Sequence, residues 1–301
     1  MVARTSHASR ATTLLLLVFT AALLPAPAAA EPDWSAVADA VGRPGSEGGG
    51  VYRVPLPRSD LHVTIDGTPI KTGLALGGWA AFAHDGDSTV VDGDLVLLPE
   101  EINAVVSALQ ANGLEITALH NHLILETPHV MYLHFFGTGD GAALGRGLRA
   151  AIAETATPPP PAAPAEPPPP APTWARAVEA SLGHSGAVRG GVLAIGVPRA
   201  EPIHERGAML TPAMGMANAF AFQATENGQV AATGDFVLSG EEVNPVIREL
   251  RAGGIRVTAL HNHLIRSTPT LYFMHFWATG DPAQIGQTLK QALSHVRVRQ
   301  G

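Results

Sequence analysis

The sequence predicts an α+β fold, built as a tandem duplication of a unit with an antiparallel sheet and helices packed on one face. The first observation behind this prediction is an internal repeat, since TALHNHLI occurs at 117–124 and again at 258–265. The second is that flanking stretches also match, such as HFFGTGD at 134–140 and HFWATGD at 275–281. The third is that β-like runs, a helical pattern, a hairpin and a last helix follow in the same order in both copies.

Residues 1–30 have the pattern of a secretory signal peptide. Arg4 and Arg10 precede an apolar run at 14–24, and three alanines end at Ala30. The run is about half of the roughly 20 residues that a membrane-spanning helix needs. We therefore expect cleavage near Ala30 and an exported protein, periplasmic or extracellular, with no transmembrane segment in the mature chain.

A proline tract, TPPPPAAPAEPPPPAP, occupies residues 157–172. Such a tract is extended and solvated, so it is typical of a semi-rigid linker. The sequence thus predicts a first repeat domain at 31–156 and a second repeat domain at 173–301. Duplicated domains often pack with approximate two-fold symmetry, and we expect the two repeats to pack against each other.

Composition limits the classes of function. The chain has 301 residues, 46% of them hydrophobic, which is enough for a sizeable core in each repeat. Its formal charge of −7 argues against a nucleic-acid partner, because such partners need basic surfaces. There is no cysteine, so disulfides and thiolate ligands are absent. Any metal site must use histidine, carboxylate or backbone oxygen.

Each unit is expected to begin with a helix near Trp34 or Trp174. Extended runs follow, among them LHVTI at 61–65, WAAFA at 79–83 and NAFAF at 218–222. A strand at 94–97 then leads into an amphipathic helix. The apolar residues of that helix recur at helical spacing in both copies, as Ile102, Val105, Val106 and Leu109, and as Val243, Val246, Ile247 and Leu250.

The ends of this helix carry recognisable signals. Ser239 and Glu242 form the pattern of a capping box, and glycines such as Gly113 follow the helix in each copy. Pro245 lies too deep for an uninterrupted helix capped at Ser239. The pattern therefore predicts a restart at Asn244 or a kink there.

The repeated histidine stretch is predicted to form one strand of an antiparallel hairpin. A turn at LETP or RSTP separates it from HVMYLHFF or TLYFMHFW, and Asp140 or Asp281 then caps the last helix, with Pro282 at a first helical position. Because alternate side chains of a strand share a face, His120 and His122 are expected to continue the apolar face of Leu114 and Ile116. An even register adds His134 to the same surface.

Three converging imidazoles are costly unless a partner compensates them, and a divalent metal does so, with zinc among the candidates. Asp94 and Asp235, from the recurring GD pair, are the first candidates for an acid ligand or an orienting group. Glu126 is a weaker one, since Ser267 replaces it in the second copy. Asn121 and Asn262 are expected to face away. The predicted metal ligands are His120, His122, His134 and Asp94 in one copy, and His261, His263, His275 and Asp235 in the other.

Three functions fit these residues. The leading one is an exported two-lobed protein with a histidine site on a hairpin of each lobe, binding a divalent metal. An alternative is a metal-dependent hydrolase with Asp94, Asp235 or Glu126 as general base. A further alternative is a non-catalytic envelope protein that binds a ligand or partner and whose histidines are structural.

The stretch ALHNHLI, preceded by GDLVL and followed by a turn proline, HF and TGD, resembles the LppY/LpqO family of secreted bacterial proteins, a domain of unknown function. PRSDLHVTIDG and LALGGWAAF resemble that family as well. The resemblance covers the mature chain twice and implies a duplicated architecture and an envelope location, with no established activity. The chain departs from the lipoprotein members because it has no cysteine for lipidation.

Overall fold

The computed structural model describes Met1 and residues 34–160 and 170–299. The predicted signal peptide, apart from Met1, and the central part of the proline tract lie outside the described residues. Residues 33–301 form one compact unit that contains both repeats. No helix in the described ranges has the length and apolarity needed to cross a bilayer.

The first repeat contains both helices and strands. Its helices are α1 Ser35–Val41, α2 Thr72–Ala75, α3 Ile102–Ala111 and α4 Gly141–Ala153. Its strands are β1 Ser46–Gly48, β2 Val51–Pro57, β3 Thr64–Ile65, β4 Thr68–Pro69, β5 Gly77–Asp85, β6 Ser88–Leu97, β7 Glu115–His120, β8 Glu126–Thr127 and β9 Met131–Gly139.

The second repeat follows the same plan, with short 3-10 turns at Pro212–Met214 and Glu226–Gly228. Its α-helices are α5 Thr173–Leu182, α6 Gly240–Ala252 and α7 Pro282–Leu293. Its strands are β10 Ala187–Arg189, β11 Val192–Pro198, β12 Ile203–Glu205, β13 Ala208–Leu210, β14 Ala217–Ala224, β15 Val230–Leu238, β16 Arg256–His261, β17 Ser267–Thr268 and β18 Tyr272–Gly280.

Each repeat contains a six-stranded antiparallel sheet. The strand order is β1-β2-β5-β6-β9-β7 in the first and β10-β11-β14-β15-β18-β16 in the second, so the two sheets have the same topology. Three-stranded sheets, β4-β3-β8 and β13-β12-β17, lie in the connections. The predicted α+β duplication is confirmed.

The two faces of each large sheet have different neighbours. In the first repeat, Leu95 and Leu97 of β6 join the core formed with α1, α3 and α4. On the opposite face, apolar clusters contain residues from both repeats, for example Val96 with Trp277, and Phe136 with Phe273. The helices therefore cover the outer faces, and the inner faces of the two sheets pack towards each other.

Polar contacts also join the repeats. The backbone N–H of Lys71 donates to the side-chain oxygen of Gln223 at 2.7 Å, and Gln223 Nε2 donates to the carbonyl of Pro69 at 2.8 Å. Lys71 precedes α2, the four-residue helix that lies on the side of the second repeat. The two repeats thus pack together through matched polar groups as well as apolar area.

Helix termini follow the sequence signals. Ser239 and Glu242 form the predicted capping box, and Asp140 and Asp281 accept hydrogen bonds from Ala143 and Gln284 at 2.7 and 2.9 Å. The expectation of a restart at Asn244 is wrong, since α6 runs continuously through Pro245. Packing of the apolar stripe of α6 in the core retains the helix despite one missing backbone donor.

A buried arginine ties the sheet to the following helix in each repeat. Arg58 is fully buried and donates to the carbonyl of Val96 at 2.9 Å and to Glu101 at 2.6 Å. Arg199 makes the same contacts with Val237 and Glu242. These pairs hold the ends of β6 and β15, the strands that carry the candidate aspartates. Of the predicted LHVTI strand, only Thr64–Ile65 is extended and paired.

Candidate metal centre

A β-bulge sets the direction of the histidines. In the pairing of β7 with β9, Ile116 lies opposite Phe135 but Ala118 lies opposite His134, so Thr117 is an extra residue. A bulge places two residues opposite one and reverses the alternation of faces. Leu114 and Ile116 therefore pack towards the helices, whereas Ala118 and His120 face inwards. The expectation that the histidines continue the face of Leu114 and Ile116 is wrong for this reason.

The same bulge occurs at Thr258 in the second repeat, between Val257 and Ala259. Thr258 contacts the other repeat directly. Its hydroxyl donates to the carbonyl of His122 at 2.5 Å, and its own carbonyl accepts from Asn121 Nδ2 at 3.2 Å. Asn121 thus has a structural role at the junction of the repeats.

The structure brings the three histidines of each repeat together on the inner face. In the first repeat, the ring of His120 lies 5.0 Å from the rings of both His122 and His134, measured between centroids. In the second, the ring of His261 lies 5.0 Å from that of His263 and 4.9 Å from that of His275.

The two triads meet each other between the sheets. Ring centroids are separated by 3.4 Å in the pair His120–His261, and by 3.7 Å in both His122–His275 and His134–His263. When each histidine is replaced by its counterpart in the other repeat, the pair His120–His261 stays the same and the other two pairs change places. This is the pattern produced by a pseudo-two-fold axis. The sequence predicts one site per lobe, and the structure instead joins both triads into one histidine cluster: His120, His122, His134, His261, His263 and His275.

The cluster is buried and its nitrogens lack partners. His134, His263 and His275 are 3%, 5% and 1% exposed. All six Nε2 atoms are buried without a hydrogen-bond partner among the described residues. Buried polar groups in folded proteins are normally hydrogen-bonded, so six orphaned nitrogens in one place require a physical explanation.

Hydrogen bonds at Nδ1 indicate the tautomer of several rings. Nδ1 of His120 lies 3.2 Å from the carbonyl oxygen of Asn121, and Nδ1 of His261 lies 3.2 Å from that of Asn262. Because a carbonyl only accepts, the proton resides on Nδ1 and the lone pair on Nε2. His275 Nδ1 contacts Asp235 in the same manner. In these three rings, the Nε2 lone pair is therefore the one directed into the cluster.

The cluster favours neutral imidazole. Burial, followed by the neighbouring His261 and His275, lowers the pKa of His120 to about 2. Burial and His275 lower the pKa of His261 to about 4. The pKa values of His122, His134 and His263 are also well below the usual value, again chiefly because of burial. Neutral imidazole is the form that coordinates metals.

The two candidate aspartates lie beside the cluster but make different contacts with it. Asp235 contacts Nδ1 of His275, which orients that ring. Oδ1 of Asp94 lies 3.8 Å from Nε2 of His134 and is buried without a hydrogen-bond partner. Burial and the charge of Asp235 hold the pKa of Asp94 well above its usual value. Glu126 instead bonds to His129 Nδ1 at 2.5 Å and belongs to none of the candidate metal groups in the described residues.

Three groups of ligand atoms within 4.8 Å of one another could hold a metal ion. The first-repeat group adds one histidine of the other repeat to a complete triad: His120, His122, His134 and His263. The second-repeat group does the same: His261, His263, His275 and His120. The third group is His122, Asp235 and His275.

Two cavities adjoin the cluster between the sheets. One, of about 370 Å³, reaches His122 and His275, and the other, of about 280 Å³, reaches His134 and His263. Both are lined by Arg53 as well as by both candidate aspartates. Solvent-sized molecules therefore have space next to each of these histidine pairs.

The cavity walls break the symmetry of the repeats. The strand registers place Arg53, Trp79 and Asp92 in positions that Ala194, Ala219 and Thr233 occupy in the second repeat. The Arg53 guanidinium lies 4.0 Å from the Trp79 ring centroid and donates to the Ala213 carbonyl at 2.6 Å. The sequence did not predict these residues, because the predicted site was based on residues that match between the two copies. Arg53, Trp79 and Asp92 are positions at which the copies differ.

Comparison with known proteins adds a family. A family model described as Domain of Unknown Function (DUF1259) matches residues 35–154 and again 176–295. No curated protein matches the chain. Among solved structures, the trimeric bacterial microcompartment shell protein PduB is similar at 14% identity and a TM-score of 0.21, covering 84% of this chain and 89% of that chain. EtuB from Clostridium kluyveri is similar at 11% identity and a TM-score of 0.20, covering 83% and 90%. Neither likeness bears on function at these TM-scores.

Proposed function

The chain belongs to the DUF1259 family, with two tandem copies of the domain, and we propose that it is an exported protein whose two repeats jointly bind divalent metal through the histidine cluster. The site lies between the repeats, so neither repeat alone supplies the whole ligand set. A single folded chain is then the unit that binds metal.

The observation that carries this proposal is the set of six buried Nε2 atoms without partners. Leaving a buried acceptor unsatisfied costs about 1–3 kcal/mol. A metal ion removes this cost because each Nε2 lone pair gains a strong partner. Imidazole ligands suit zinc, copper, nickel and iron(II), and the absence of cysteine leaves no softer ligand in the site.

Export is the second part of the proposal. Its support is the signal-peptide pattern of residues 1–30 and the resemblance to the LppY/LpqO proteins. A chain without cysteine is also insensitive to the oxidising conditions outside the cytoplasm.

A metal-dependent hydrolase is the second candidate, and the cavity of about 370 Å³ beside His122 and His275 favours it. A reaction needs space for substrate next to the ion. Asp94 lines that cavity with an unpartnered oxygen, which is the position expected of a general base acting on a metal-bound water.

The test is metal content and affinity in the purified protein. Elemental analysis of protein expressed with supplied zinc should find bound metal, and calorimetric titration of the chelator-treated protein should show tight binding. A folded His134→Ala/His275→Ala variant should bind much more weakly, whereas His62→Ala, at an exposed position, should bind as the parent does.

Two results would refute metal binding. One is a folded parent protein that takes up none of zinc, copper, nickel or cobalt. The other is equal uptake by the parent and by the folded double variant. A cluster that loses only thermal stability on substitution would then be a structural one.

A further inference from the structure

We propose that the histidine cluster holds two metal ions side by side, one on the triad of each repeat, rather than a single ion. This inference rests on the proposed function, because it concerns the number of ions at the same site. It also differs from the sequence-based expectation of one separate site in each lobe, since the two ions would share one cluster between the sheets.

The donors do not converge on one point. An octahedral ion bound by six imidazoles at about 2.1 Å requires opposite nitrogens about 4.2 Å apart. In the described part of the chain, the histidine nitrogens within 4.8 Å of one another form groups of four, and none contains all six. A single six-coordinate ion therefore does not fit this arrangement.

A single four-coordinate ion leaves the cluster incomplete. Tetrahedral coordination uses four nitrogens, so two of the six Nε2 atoms would stay buried without a partner. Two ions, each bound by three histidines, use all six. The two-ion arrangement gives every one of these nitrogens a metal partner.

Two of the three candidate ligand groups are each built around the triad of one repeat. The first-repeat and second-repeat groups each contain one complete triad, and they overlap at His120 and His263. Two centres that share bordering ligands must be neighbours. The pseudo-two-fold relation of the ring pairs also makes the two triads equivalent.

The carboxylates provide the opposite charge that a second ion requires. Asp92 and Asp94 are buried at 2% and 8% exposure, and Asp235 forms a candidate group with His122 and His275. All three line the cavities beside the cluster. Two divalent ions bring four positive charges and Arg53 adds one, so the three carboxylates offset part of the positive charge in a region where burial makes unbalanced charge costly.

The experiment uses Cu(II) as the probe on the purified, chelator-treated protein. Native mass spectrometry counts ions per chain, and electron paramagnetic resonance detects magnetic coupling between them. We expect two ions per chain and a dipolar-split spectrum with a half-field transition, because two neighbouring Cu(II) ions in one cluster couple magnetically.

Each outcome has a distinct meaning. One ion per chain with a full one-spin signal overturns the two-ion inference and leaves the proposed function intact. Two ions with the spectrum of uncoupled Cu(II) also overturn it, since the ions would be in separate sites. No uptake of Cu(II), zinc, nickel or cobalt by the folded protein overturns both proposals.

Variants assign the ions to the repeats. His134→Ala and His275→Ala each remove one triad member from one repeat, and each should retain one ion with a one-spin signal. His122→Ala serves as a second first-repeat variant at a half-buried position, should His134→Ala fail to fold. His62→Ala should keep two ions. A folded triad variant that still binds two coupled ions contradicts the assignment.

Discussion

The rings of His120 and His261 lie face to face with their centroids 3.4 Å apart, although the two residues belong to different repeats. They are equivalent members of their triads, so this contact marks where the pseudo-two-fold axis passes through the cluster. The histidine cluster and the packing of the repeats are therefore linked.

Stability of the metal-free protein should fall as the pH falls. The unfolded histidines have a pKa near 6.5, whereas those of folded His120 and His261 are about 2 and about 4. Below about pH 6.5 the unfolded state binds protons that the folded state does not, so stability is full above that pH and is lost below it. Each such histidine contributes up to about 1.4 kcal/mol per pH unit.

Urea unfolding with chelator at pH 8, 6.5 and 5 measures this dependence. The His120→Gln/His261→Gln variant should show a shallower decrease between pH 6.5 and 5. A parent protein that gains stability on acidification would contradict the prediction.

Metal should raise the melting temperature of the parent protein. A ligand that binds the folded state alone stabilises it by about 2.7 kcal/mol at a concentration 100 times its Kd. Calorimetric melts with zinc, and with zinc followed by chelator, should show a rise that the chelator reverses. His62→Ala should respond as the parent does, and a matching rise in the double variant His134→Ala/His275→Ala would count against the cluster as the binding site.

Asp235→Asn should weaken metal binding about 10- to 100-fold. Asp235 contacts Nδ1 of His275, and the neutral amide would orient the ring less firmly and lower its basicity as a ligand. Competition with a chelator of known affinity measures the change. Asp39→Asn, at an exposed position, is the matched control, and equal affinity in the two variants would remove Asp235 from the site.

Arg58→Ala should destabilise the protein by about 3–5 kcal/mol, because Glu101 would remain buried without its ion-pair partner. Arg199→Ala should do the same through Glu242. Denaturant unfolding measures both, with exposed Arg146→Ala as the control. A loss below 1 kcal/mol in both variants would show that these pairs are dispensable.

Local signals predicted the helix ends well. The capping box at Ser239 and the caps at Asp140 and Asp281 depend on side chains within a few residues, so the sequence contains all the needed information. The restart of the helix at Asn244 was mispredicted because core packing of α6 outweighs the local cost of a proline.

The sequence predicted that the three histidines of each repeat lie close together, but not that the two triads meet. The bulges at Thr117 and Thr258 reverse the face of every later residue in their strands. No local sequence pattern indicates these bulges. The cavity residues Arg53 and Trp79 were missed because their second-repeat counterparts are alanines.

The sequence by itself determined the duplicated α+β unit and the two histidine triads, because periodicity, caps and an identical repeat are local properties of the chain. Only the tertiary structure decided that the triads meet in one cluster and that both repeats line the cavities beside it. The physical reason is that the pairing of two sheets depends on burial between distant segments, and a single extra residue in a strand decides which face enters that interface.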